Sequence, residues 1–285
     1  MPDSNAPVIC GACGAHCAGK EYYAKSVLSE QIGTFRTCDH CASLRIVDVV
    51  DYEKLYDSRA STNYSQSDVR ALVRLKEWYL RAAARSLLVG ASRNARILDY
   101  GCGGGELSNA ISAMGFSAVY ATDVQDTPPS TLSKTVHYFS AGTDSRSLTF
   151  DLILMRHVLE HVVEPSATLN TLATWLAPGG RIEIEVPSEG SVFRKLLGSR
   201  WPGYFFPFHV HVFSRKGLSD LAKRCDLLVT SIADCNPPVL GVYFMGLGAS
   251  RSVARALSLI CYPFQLVVNR LSGQPEALRV SLSHP

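Results

Sequence analysis

Four glycines fall within five positions directly after a short apolar run, in Arg96-Ile97-Leu98-Asp99-Tyr100-Gly101-Cys102-Gly103-Gly104-Gly105. This juxtaposition constrains the fold more than any other feature. An apolar pulse of that length reads as a buried strand. Glycine after it allows positive φ and lets backbone amides approach a ligand with no side chain between. Ligands on open α/β sheets bind beyond the carboxyl ends of strands, which is where this turn falls.

The chain around the turn alternates strand and helix. Strands are expected at Arg96–Tyr100, Ala118–Thr122, Thr135–Phe139, Phe150–Met155 and Arg181–Val186, with helices near 106–114 and 165–176. Pro178-Gly179-Gly180 signals a turn. Further on, a helix near 216–224, a strand near 227–232 and a last strand near 277–282 complete the pattern. Such alternation predicts a Rossmann-like α/β sheet with helices on both faces, filling residues 93–285. Residues 49–92 read as a helical connector, with Val69, Leu72, Val73, Lys76 and Leu80 at helical spacing after Ser67 and Asp68. Its first part, Asp51–Tyr64, reads as a loop able to lie across a pocket or to pack on the main domain.

A glycine-rich turn alone does not identify its ligand. A dinucleotide fingerprint calls for glycine or alanine at position 106, and this chain has Glu106, a carboxylate that a pyrophosphate on the helix N-terminus would repel. Asp123 follows the second strand, 24 residues after Asp99, where a carboxylate can accept hydrogen bonds from ribose hydroxyls. Four segments in order now carry a resemblance: 97–105, Thr122-Asp123, Phe150-Asp151-Leu152-Ile153 through His157-Val158-Leu159-Glu160-His161, and Leu176–Pro187. Residues 95–187 resemble the core of class I S-adenosylmethionine-dependent methyltransferases. The resemblance implies that Asp99 and Gly101 hold the methionine end of the cofactor and that Gly103 and Gly105 shape the turn. It also implies that Asp123, with Val124 beside it, binds the ribose, and that Gly142–Asp144 flanks the adenine, with Asp144 a contact.

Five of the nine cysteines lie in the first 48 residues. Cys10-Gly11-Ala12-Cys13 and Cys38-Asp39-His40-Cys41 are two C-x-x-C pairs, and each can aim two thiolates at one tetrahedral Zn²⁺. Residues 1–48 therefore read as a zinc ribbon, its folding energy supplied by a structural metal. His16 and Cys17 are spare donors. Neither pair sits in a thioredoxin-like setting, so redox chemistry fits less well. A cysteine-rich ribbon ahead of such a core resembles enzymes of bacterial sugar, polysaccharide and natural-product pathways.

Methyl transfer needs alignment of donor and acceptor and, for a hydroxyl acceptor, a base. His157 and His161 flank Glu160 after the fourth strand, and related quinone O-methyltransferases carry a metal-holding Glu-x-x-Glu-His there; this chain has His157 in place of the first Glu. His161 is also a structural residue in the family. A second pair, His209 and His211, lies in the aromatic run Trp201–Ser214, where alternation turns both to one side. Tyr204 is a further proton donor or acceptor in that run. The expected reaction is O-methylation of a small-molecule or sugar-type acceptor, with His157, His209 or His161 as base. A catalytically silent cofactor-binding subunit, an RNA methyltransferase and an NAD-dependent enzyme are the competing readings.

The net charge of +3 is too small to suggest a nucleic-acid footprint. The first residues, Met1 to Val8, lack a basic start and an apolar run, so a cytoplasmic protein without a secretory signal is expected. Two apolar stretches, Val239–Ala249 and Ala256–Val268, are too short to span a bilayer. They read as buried helix and strand, or as a surface that touches lipid or a greasy acceptor.

Overall fold

The computed structural model describes residues 8–27, 29–48, 50–52, 55, 70–140 and 148–285. Eleven strands and seven α-helices are used below: β1 (Glu21–Lys25), β2 (Ile32–Thr37), β3 (Leu44–Ile46), α1 (Arg70–Leu87), β4 (Arg96–Tyr100), α2 (Glu106–Ala113), β5 (Ala118–Asp123), β6 (His137–Ser140), β7 (Phe150–Arg156), α3 (Pro165–Thr174), β8 (Leu176–Pro187), α4 (Val192–Leu197), β9 (His211–Val212), α5 (Arg215–Arg224), β10 (Leu228–Cys235), α6 (Leu240–Gly246), α7 (Arg251–Ser272) and β11 (Ala277–Ser283).

Seven strands form the main sheet in the order β10-β11-β8-β7-β4-β5-β6. The strands from β6 to β8 run parallel, and β11 is antiparallel to both β8 and β10. The order reverses between β4 and β7, which opens the crevice where such sheets bind ligands. Period-two alternation assigns the two cores. Ile97, Leu152 and Leu154 pack with Ala84 and Leu87 of α1 and Leu107 and Ile111 of α2. Their neighbours Leu98, Ile153 and Met155 point the other way, onto Leu169 and Leu172 of α3 and Leu218 and Leu221 of α5. The helix of the expected connector is thus one layer of the main domain.

Two local expectations are corrected. The strand expected at Arg181–Val186 starts at Leu176, because Phe150 pairs with Leu176 and the Pro178-Gly179-Gly180 stretch is absorbed as a register irregularity before Leu152 meets Arg181. The apolar stretches near the C-terminus form two helices, α6 and α7, and no strand. Most of Asp51–Tyr64, together with Gly142–Asp144, lies outside the described residues.

A second, four-stranded sheet has the order β1-β2-β3-β9. Three of its strands come from the cysteine-rich segment; the fourth, β9, comes from the stretch of chain between β8 and β10 and pairs Leu44 with Val212 and Arg45 with His211. Ser214 fastens this junction: its N–H donates to Ser43 Oγ at 3.1 Å and its hydroxyl donates to the Cys41 carbonyl. Arg224 of α5 donates to the carbonyls of Gly11 and Ala12.

Candidate active site

The glycine turn adopts the expected geometry. Gly101, Gly103 and Gly105 have φ of 77°, 52° and 73°. The Gly101 and Cys102 amides donate to the Thr122 carbonyl at 2.8 and 3.0 Å, which ties the turn to the end of β5. A Cβ on Gly101 would lie 2.5 Å from Val158, so glycine is required there by the loop after β7. A Cβ on Gly103 would meet nothing within 4 Å, so the outer side of the turn is open to a ligand.

Asp123 stands at the tip of β5 beside this opening. Its Oδ2 accepts from the Gly103 amide at 2.7 Å and its Oδ1 from the Val124 amide at 2.8 Å. The Val124 side chain is exposed, an apolar flank next to a carboxylate. Asp99 is placed differently. It is buried and accepts from Ser108 Oγ of α2 at 2.5 Å. Burial pushes its carboxyl up to about 6, against the pull of the Ser108 hydrogen bond. It fastens α2 to β4. Asp144 lies outside the described residues.

His157 follows β7 with φ of 55°, a left-handed conformation uncommon for a non-glycine residue. Its amide donates to the Glu185 carbonyl at 2.8 Å, which holds it at the mouth of the sheet. Its ring lies between two carboxylates, with Nδ1 3.3 Å from Glu160 Oε1 and Nε2 3.6 Å from Glu185 Oε1. The ring is partly exposed, whereas both carboxylates are buried. Burial acts to raise the Glu160 carboxyl, but the hydrogen bond of His157 and, when that ring is protonated, its charge outweigh it and hold the group below its ordinary value. Burial likewise opposes ionisation of Glu185, yet His157, Arg156 and Arg279 bring it down to about 2. Arg279 Nη2 donates to Glu185 Oε2 at 2.7 Å.

The other two candidate bases are structural neighbours of this ring. His161 Nδ1 is 3.0 Å from the Phe208 carbonyl and His209 Nδ1 is 2.8 Å from the Gly203 carbonyl. The two rings meet edge to face at 4.6 Å, and His209 Nε2 is 3.9 Å from Glu160 Oε1. Burial lowers His209 to about 3, leaving it neutral. His211 faces the first cysteine pair, where a Cβ on Gly11 would lie 2.3 Å from its ring. Tyr204 is buried against Phe35 and Trp201. Sequence reasoning singled out neither Glu185 nor Arg279. The signal for Glu185 was present in Ile182-Glu183-Ile184-Glu185, carboxylates written into a central strand.

Beyond Arg156 and Glu185 a cleft of about 310 Å³ opens between α1 and the sheet, lined in part by Tyr79, Ser86, Cys235 and Arg279. It adjoins the carboxyl ends of β7 and β8, where Arg156 and Glu185 line it.

A family model described as a methyltransferase domain matches residues 67–232. The chain belongs to the methyltransferase-domain family. This methyltransferase domain is of the class I, S-adenosylmethionine-dependent kind. Residues of the chain are 37% identical over 95 positions to a ubiquinone biosynthesis O-methyltransferase of Parvibaculum lavamentivorans, covering 30% of this chain and 37% of that protein. A protein of the same description from Caulobacter sp. is 37% identical over 98 residues, covering 30% of this chain and 38% of its own. The chain thus spans well under half the length of these curated relatives. Among solved structures, magnesium protoporphyrin IX methyltransferase of Synechocystis PCC 6803, with SAH bound, superimposes with a TM-score of 0.51 at 14% identity, covering 82% of this chain and 100% of its own. The [4+2]-cyclase SpnF superimposes at 0.50 and 14% identity, covering 73% and 81%. These two likenesses concern the fold alone.

The four cysteines of the chain's first segment converge. Cys10 Sγ is 3.6 Å from Cys41 Sγ, Cys13 Sγ is 3.4 Å from Cys38 Sγ, and all four sulfurs lie within 4.8 Å of one another. Tetrahedral Zn²⁺ with Zn–S bonds of about 2.3 Å needs sulfurs about 3.8 Å apart, so the donor set fits the ion. The two knuckles repeat one geometry. Gly14 and Ala42, each following the second cysteine, have φ of 79° and 64°. Each donates its amide to the carbonyl of the first cysteine, Cys10 or Cys38. Burial, then the neighbouring thiols, push Cys13 up to about 11. A dication among them would favour thiolates instead.

Proposed function

We propose that this methyltransferase transfers a methyl group from S-adenosylmethionine to an oxygen of a small-molecule or sugar-type acceptor, with His157 as the base. The observation that carries this reading is the contact of Val158 with Gly101: it brings the His157 loop directly against the glycine turn. When bound, the cofactor supplies a methyl carbon already activated by a sulfonium.

In this reading the amides of the 101–105 turn and the Asp123 carboxylate hold the nucleoside, with Val124 flanking the base. The acceptor enters the cleft beside Tyr79 and Arg279 and presents a hydroxyl to His157. Neutral His157, with Nδ1 towards Glu160, takes the proton on Nε2, which at 3.6 Å is not hydrogen-bonded to Glu185, and the two carboxylates then stabilise the imidazolium. His161 and His209 are positioning residues: their rings, fixed by backbone carbonyls, wall Glu160 away from water. The description of the relatives, ubiquinone biosynthesis O-methyltransferase, supports oxygen as the methylated atom.

We also propose that Cys10, Cys13, Cys38 and Cys41 bind one structural Zn²⁺. Four thiolates close a tetrahedral site, so the metal organises the small sheet without entering the reaction.

The test is incubation with methyl-labelled S-adenosylmethionine and a pooled small-molecule extract, followed by mass identification of the labelled product. A labelled ether is the expected product. Tight cofactor binding with no labelled product would favour a silent binding subunit; a labelled carbon or nitrogen would remove the need for His157 as a hydroxyl base.

A further inference from the structure

We propose that α7 is an interfacial element that lays the protein against an anionic lipid surface. The helix is amphipathic in the inverted sense. Its buried stripe is Ala254, Ser258, Gln265 and Asn269, three of them polar. Its outer stripe is Val253, Ile260, Phe264, Val267 and Leu271, exposed by 51%, 73%, 64%, 54% and 83%. Residues spaced by 7, 4, 3 and 4 fall within one narrow band of a helix, so these side chains form a continuous apolar ridge. Scattered exposed apolar residues need no explanation, but a contiguous ridge does.

The orientation is fixed by hydrogen bonds. Gln265 donates from Nε2 to the Pro237 carbonyl at 2.7 Å and accepts from the Val239 amide at 3.2 Å. Asn269 Nδ2 donates to Glu276 Oε1 and to the Gln274 carbonyl, both at 2.8 Å. The Tyr262 hydroxyl donates to the Asn236 carbonyl at 2.7 Å. Rotating the ridge inward would strand these groups, so the polar side is the anchored side. Met245 and Leu247, at the end of α6, extend the apolar exposure.

Charge selects the occupant. From Cys235 to Pro275 the chain has no Asp, Glu, Lys or His, and its only charges are Arg251, Arg255 and Arg270. Arg270 is exposed at the edge of the ridge, and an apolar ridge edged by a cation in a segment with no carboxylate matches anionic headgroups over acyl chains. A second copy meeting the same face by two-fold symmetry would oppose arginine with arginine and offer no carboxylate. No helix among the described residues is long and apolar enough to cross a membrane, so the contact is one of lying on the surface.

The test is co-sedimentation of the full chain with vesicles of phosphatidylcholine containing phosphatidylglycerol, at low and high salt. Binding is expected to the mixed vesicles, to weaken with salt, and to fall at least about tenfold in Phe264→Asn/Leu271→Asn. Arg270→Gln alone should weaken it about fivefold. Unchanged S-adenosylmethionine affinity in each variant certifies the fold. As a second readout, Phe264→Trp should show blue-shifted emission and quenching by brominated acyl chains. Absence of binding at low salt, or wild-type binding by the folded double variant, overturns the proposal. So does a sedimentation-velocity dimer that the same substitutions dissociate, which would make a second copy the occupant.

Discussion

His157 Nδ1 lies 3.3 Å from Glu160 Oε1, pairing a partly exposed ring with a carboxylate that has no access to solvent. The pair is held by a strained backbone, φ 55° at His157, and such strain persists where surrounding structure over-determines it. Here the Glu185 carbonyl and the Val158–Gly101 contact do so.

If this ring is the base, removing it should slow chemistry without disturbing the nucleoside site. His157→Asn keeps a residue tolerant of positive φ and discards the basic nitrogen. Label incorporation into product should fall about 10²- to 10⁴-fold, with S-adenosylmethionine affinity by calorimetry within about twofold of wild type. Wild-type turnover in this variant would assign the proton transfer elsewhere.

The neutral, enclosed His209 makes a different prediction, about acid stability. Its ordinary value of 6.5 drops to about 3 in the fold. Below pH 6.5 the unfolded chain takes up a proton that the folded chain refuses until about pH 3. Stability therefore falls as pH decreases through that window, by about 1.4 kcal/mol per unit. Asp99, raised to about 6, opposes this between its ordinary 3.8 and 6, so comparison with a variant is cleaner than the absolute slope. His209→Asn retains a donor for the Gly203 carbonyl. Between pH 6.5 and 5, urea denaturation should show it losing about 2 kcal/mol less than wild type. Equal losses would mean that His209 accepts a proton in the folded state.

The glycine turn separates steric from ligand effects. Gly101→Ala places its Cβ against Val158 and should cost about 1–3 kcal/mol of stability, weakening S-adenosylmethionine binding as the loop shifts. Gly103→Ala has room and pays only for its positive φ, about 1–2 kcal/mol, yet it fills the open side of the turn. Asp123→Ala should reduce affinity about 10- to 100-fold, the worth of hydrogen bonds to a charged group. Calorimetric affinities at wild-type level for both Gly103→Ala and Asp123→Ala would move the nucleoside out of this cradle.

Much of this arrangement could be read from sequence because it depends on local pattern. Ile97 and Leu98 announce a strand buried on both faces, and the glycines announce the turn after it. The two C-x-x-C pairs foretell a convergence that the four sulfurs display. The remainder depends on long-range pairing. Two-residue β9 carries no periodicity, and only its partner β3 makes it a strand. Glu185 and Arg279 meet because β11 runs antiparallel beside β8, a register that nothing local to either residue specifies. The orientation of α7 was hidden for a related reason. Its apolar content suggests burial, and only the bonds of Gln265 and Asn269 show which side faces in.

A backbone hydrogen bond joins the small sheet to the reaction site, and that link makes the metal proposal testable at a distance. The Val210 amide donates to the Glu160 carbonyl at 2.7 Å, and Val210 immediately precedes β9, the strand completing the cysteine-rich sheet. Purified protein should contain about one zinc per chain, and Co²⁺ exchange should give the intense visible bands of a tetrahedral thiolate complex. Cys38→Ser should lower metal content and melting temperature, whereas Cys17→Ser, outside the four-sulfur set, should retain the metal. Chelation should loosen β9 and thereby the Glu160 loop, so turnover should fall further than S-adenosylmethionine affinity and return when Zn²⁺ is restored. A metal-free protein that melts, binds and turns over as the untreated one does would show that the four thiols pack together without an ion.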